Sequence, residues 1–163
     1  MSILNPNQGV GCHKAIICSI LLSASFHLHS APSELIREIP HLGLADIAVA
    51  SHDAGGPVIY FNPLLQLKVG PWVSEFFRAH EFFHHHLDHL SLQQLHDEPT
   101  SYFSLMRSFE RAADCEAAKV VSPYAVLAAV EFFIATQGPT RPDLLHPTGY
   151  ERAATIRECG GDR

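Results

Sequence analysis

Apolar residues recur at helical spacing through most of the chain, and only two short runs near residues 45–61 read as strands, so the pattern predicts helix with a small sheet. A short helix is expected over Pro32–Ile39, stopped by Pro40. Two strands follow, Ala45–Ala50 and Pro57–Phe61, joined through the turn signal Asp53-Ala54-Gly55-Gly56 and ended by Asn62-Pro63. A helix is expected from Gly70-Pro71 to about Leu95, with Val73, Phe76, Phe77, Phe83 and Leu87 along one face. A second runs from Thr100 to Val121, and a third from Pro123 to Gln137, where Gly138 stops it. The last opens at Thr148, which with Glu151 forms a capping box. The reading is an α+β fold: a mostly helical single domain, residues 32–163, with a small β-sheet.

Composition narrows what such a domain does. At 163 residues with 47% apolar content, one sizeable core is expected, and no internal repeat is seen. A net charge of −6 argues against nucleic acid as a partner. No run approaches the roughly 20 apolar residues of a stable membrane span. Residues 1–31 read in two ways. Lys14, the apolar run Ala15–Phe26 and small residues at Ala24 and Ala31 resemble an export signal, whereas a packed amino-terminal helix is the alternative. Export would place the domain outside the cell or in a periplasm, and the alternative leaves it in the cytoplasm. Cys115 and Cys159 could pair in the first case and would stay as thiols in the second, and the sequence alone does not decide between them.

The chemistry concentrates in His80-Glu81-Phe82-Phe83-His84. Residues four apart on a helix share a face, so His80 and His84 can each direct one ring nitrogen to a single zinc ion, at about 2.0–2.1 Å. Both fall on the apolar stripe, where an unpartnered imidazole costs roughly 1–3 kcal/mol. Glu81 sits one step round the helix, placed to take a proton from a water held by the ion. Twelve histidines make chance pairs common, and His85, His86 and His89 crowd the same segment without an assigned role. A third ligand is needed. His89 falls one place short of the spacing at which a later histidine completes such sites. Glu110 is the better candidate: it shares a stripe with Phe103, Met106, Ala113, Ala117 and Val121, and so does Asp114 one turn on. Two carboxylates on a core face need compensation. A cation ligated by Glu110 supplies it, with Asp114 accepting a hydrogen bond from the outer nitrogen of a histidine; pairing with Arg111 or another cation is the alternative.

His80-Glu81-x-x-His84 followed by Glu110-x-x-x-Asp114 resembles the gluzincin metallopeptidases. Within them it is similar to the minimal cores of the HtpX and CAAX-prenyl-protease family, where a downstream His-Pro precedes an arginine, as His146-Pro147 precedes Arg152 here. The short interval between the two helices is closer to the ImmA/IrrE-type peptidases. The chain lacks the glycine that many relatives carry before His84, and it lacks the multi-span membrane portion of HtpX-like enzymes. The resemblance covers about residues 57–157 and implies a zincin-like core with one zinc ion. It also implies that His146 stabilises an oxyanion and that Arg152 braces the site. The function expected is a zinc-dependent peptidase with Glu81 as general base, acting on a peptide or protein. The rival readings are a catalytically silent zinc-binding or regulatory domain and a His-rich metal buffer.

Overall fold

The computed structural model describes residues 35–94 and 99–161, which belong to one compact unit, Pro32–Arg163. The segment 1–31, and with it the expected export signal or helix, lies outside the described residues. Mostly helical α+β architecture is observed, as the pattern predicts: a three-stranded sheet and six helices among the described residues. The strands are β1 (Arg37–Pro40), β2 (Ala48–Asp53) and β3 (Gly56–Phe61). Their order is β1-β3-β2, with β1 parallel to β3 and β2 antiparallel to it. The tight turn between Asp53 and Gly56 closes the β2–β3 hairpin, and Asp53 accepts from the Gly55 N–H at 2.7 Å.

The helix expected over Pro32–Ile39 is corrected: Arg37–Pro40 is a strand, paired from Arg37↔Val58 to Pro40↔Phe61. A helix this short cannot sustain itself, and Ile39, preceding proline, is biased towards extended backbone. The edge of β3 supplies the partners. Arg37 also ion-pairs with Asp53, tying β1 to the far strand.

Asn62 does more than end β3. Its side chain accepts from the N–H groups of Leu64 and Leu65 and so caps a short helix, α1 (Pro63–Val69), that the pattern does not announce. Gly70, at φ 87°, then turns the chain into α2 (Pro71–His86). The expected run to Leu95 is corrected here. Helix α2 ends at His86, Asp88 adopts a left-handed conformation at φ 56°, and a five-residue helix α3 (His89–Gln93) follows.

Three further helices complete the core: α4 (Pro99–Val120), α5 (Pro123–Thr136) and α6 (Gly149–Gly160). Ala113, Ala117 and Ala118 of α4, Ala125 and Ala129 of α5 and Ala153 of α6 are buried. These small side chains let the helices approach closely around Phe76, Phe77 and Phe133. At Gly149 the approach is closest, since an added Cβ would stand 2.2 Å from the Phe133 carbonyl oxygen. The predicted capping box is present, Thr148 accepting from Glu151 N–H and Glu151 from Thr148 N–H. Cys115 and Cys159 form a disulfide that joins α4 to α6. Among the described residues, no helix is long and apolar enough to cross a membrane.

Candidate metal centre

Helices α2 and α4 face one another, and their contact carries the chemistry. One turn apart on α2, His80 and His84 bring their Nε2 atoms to 3.0 Å. From α4, Glu110 places Oε2 3.3 Å from His80 Nε2 and Oε1 3.3 Å from His84 Nε2. These residues are the one group among those described whose ligand atoms cluster as a metal ion requires.

The fit is chemical as well as spatial. Ligands set tetrahedrally at about 2.0–2.1 Å from zinc stand about 3.3–3.4 Å from each other, close to the separations seen here. Glu110 Oε2 is buried without a well-formed hydrogen bond, with His80 Nε2 at 3.3 Å and Arg152 Nη2 at 3.7 Å as its cationic neighbours, and a buried carboxylate oxygen held so loosely is costly. A cation between the three groups would satisfy it. Two imidazoles and one carboxylate suit zinc, with a fourth position open.

Outside the ligands lies a buried ionic network. His80 Nδ1 is 2.9 Å from Asp114 Oδ1, and Asp114 is fully buried. The cation facing these carboxylates is Arg152 of α6. It donates from Nε and Nη2 to the two Asp114 oxygens at 2.8 and 2.6 Å, and its Nη2 stands 3.7 Å from Glu110 Oε2. The guanidinium carbon also lies 4.1 Å above the centre of the Phe133 ring. Burial opposes a charge on His80, but the carboxylates of Asp114 and Glu110 override it and push its pKa up to about 10. Burial acts to raise Glu110 and Asp114 too. His80 outweighs it at Glu110 and Arg152 outweighs it at Asp114, so both carboxyls are held below their ordinary range.

Glu81 lines the same cleft as the ligands and reaches the sheet. Its Oε2 accepts the backbone N–H of Ala50 on β2 at 2.7 Å, so the edge strand fixes the carboxylate. Burial raises the Glu81 pKa against the opposing pull of His80 and His84. A cleft of about 300 Å³ opens over Glu81, His84 and Glu110, bounded by Ala50, Met106 and His146 among others.

His146, in the loop before α6, brings Nε2 to 3.9 Å from Glu110 Oε2 at the margin of this cleft. Its Nδ1 lies 2.8 Å from Asp143, which also accepts the N–H groups of Leu145 and His146 at 2.7 and 2.9 Å. Sequence reasoning passed over Asp143, although an Asp three residues before a functional histidine is the signature of such a side-chain-to-backbone turn. It also left His89 without a place. The structure sets His89 Nδ1 3.1 Å from His84 Nδ1. The ring is buried and stacks on Phe109 at 4.2 Å with planes 10° apart. Burial, then the charge of His84, depresses its pKa to about 4, so it is neutral. Glu116, further along α4, pairs with Lys119 at 2.6 Å.

Comparison with protein-family models, curated proteins and solved structures gives no match to this chain.

Proposed function

We propose that the chain is a zinc-dependent peptidase of gluzincin type, with His80, His84 and Glu110 as metal ligands. The observation that carries the reading is the convergence of these three side chains on one point, with a buried Glu110 oxygen that makes no well-formed hydrogen bond, directly beside Glu81 in an open cleft. Zinc, if held by His80, His84 and Glu110, would supply a Lewis acid for a peptide carbonyl and for a water. Glu81, on the wall of the cleft, is the group that would take a proton from the attacking water and return it to the leaving amine. His146, oriented by Asp143, donates from Nε2 to the oxyanion, an interaction worth roughly 3–4 kcal/mol in such sites. Arg152 and Asp114 hold His80 in the tautomer that leaves Nε2 free to bind. The Cys115–Cys159 bond supports an oxidising compartment, and hence export, over a reducing cytoplasm.

Metal analysis and casein cleavage, run together on three proteins, test the proposal. The unaltered chain should carry one zinc ion and cleave. Glu110→Ala should lose both. Glu81→Gln should keep the ion and lose at least about a hundredfold in turnover, the scale expected of a general base. Full cleavage by Glu81→Gln would remove the hydrolytic mechanism, and a Glu81→Gln-like result for the unaltered chain would leave a silent zinc-binding domain.

A further inference from the structure

His84 has one ring nitrogen directed at Glu110 and His80, and the other directed elsewhere. A ligating imidazole coordinates through an unprotonated nitrogen, so its second nitrogen carries the proton and needs an acceptor. For His80 that acceptor is the Asp114 carboxylate. For His84 the atom in place is His89 Nδ1, at 3.1 Å. His89 is held from two sides. Its ring lies flat on Phe109, and the left-handed turn at Asp88 redirects the chain into α3. Had α2 continued, 3.6 residues per turn would carry His89 about 140° round from His84. Instead the break folds it back. The contact is with His84 Nδ1, the far side from the three ligand atoms, so His89 is not a fourth ligand.

We propose, on the basis of the zinc-site reading above, that His89 is a positioning residue for the metal centre, its Nδ1 accepting the Nδ1–H of His84 and so holding Nε2 of His84 ready to coordinate. The acceptor is a neutral imidazole, whereas His80 has an anion. The two histidine ligands are therefore unequal donors by construction.

Two substitutions separate acceptor from packing. His89→Phe keeps a ring to stack on Phe109 and removes the acceptor. His89→Asn puts an oxygen near the position of Nδ1 and removes the stack. Zinc affinity, measured by chelator competition, should fall about 10- to 100-fold in His89→Phe and stay within about threefold in His89→Asn, with the visible spectrum of the cobalt-loaded protein shifted only in the former. Equal losses in both variants, or an unchanged His89→Phe, overturn the inference. Long-range proton–nitrogen correlation spectra of the unaltered protein give a check that needs no variant: His84 should carry its proton on Nδ1 and His89 on Nε2, and a proton on His89 Nδ1 is incompatible with the proposal. Glu110→Ala is the control for the zinc reading itself. If it binds zinc as tightly as the unaltered chain, that reading fails first; if it loses the ion while the two His89 variants behave alike, the positioning role alone is wrong.

Discussion

The two histidines of the candidate centre sit one turn apart on one helix yet are supported in opposite ways. Behind His80 stands a charged network, Asp114 from α4 and Arg152 from α6, all three residues buried and spanning three helices. Behind His84 stands a neutral ring on a five-residue helix, reached through a strained turn. One support is electrostatic and is locked into the core. The other is a single contact between local neighbours. Damage on the His80 side should therefore reach the whole fold, whereas damage on the His84 side should stay at the metal.

Arg152→Met is the largest expected break. It leaves Asp114 buried with His80 as its remaining cationic partner and two carboxylate bonds lost, and removing one partner of such a buried pair costs about 3–5 kcal/mol. Chemical denaturation of the metal-free protein should show that loss, and a change below about 1 kcal/mol would mean that the network contributes little to the fold.

Next is proton linkage, which should be one-sided. Zinc has to displace the proton that Asp114 and Glu110 hold on His80, whose pKa is about 10, whereas His89 at about 4 has none to give. Between pH 7.5 and 9, zinc uptake should release one proton from the His80 side, and affinity should rise about tenfold per pH unit from that group. Calorimetry in buffers of differing ionisation enthalpy counts it. For the metal-free protein the sign reverses. The stabilisation from charged His80 is complete below its ordinary value of 6.5 and is lost as pH rises through about 10. That from Glu110 and Asp114, both depressed, is present above the ordinary carboxylate values and lost as the pH falls below them.

The smallest effect belongs to Asp88. Glycine adopts φ 56° without strain, so Asp88→Gly should alter stability by less than about 1 kcal/mol and leave zinc affinity intact. Asp88→Val should cost about 1–2 kcal/mol and weaken zinc binding through His89. Equal zinc affinities in the two variants would detach the turn from the metal.

What was legible in the sequence was what local chemistry announces. Pro71 starts α2, Ser122-Pro123 starts α5, and Thr148 with Glu151 caps α6, each through neighbours within three residues. Glu110 and Asp114 stood out because carboxylates on an apolar stripe require an explanation, and the structure brings Glu110 to His80 and His84 and Asp114 to His80. The illegible parts depend on distant partners or on unmarked turns. β1 exists because β3 offers an edge 21 residues away. Neither Leu87 nor Asp88 is a glycine or proline, so nothing marks the end of α2 in the sequence, and the fold-back that brings His89 to His84 is not announced there. The Ala50 N–H that holds Glu81 comes from 31 residues upstream and is a backbone group, invisible to any reading of side chains.

The bond between Cys115 and Cys159 has a topological consequence. The 44-residue interval it closes contains the whole of α5. In the unfolded chain the α5 segment lies inside that closed loop, while the segments bearing Asp114 and Arg152 stay leashed to each other through the crosslink. Their separation there is bounded by the crosslink rather than by contour length, so less chain entropy is lost when the buried ion pair forms on folding.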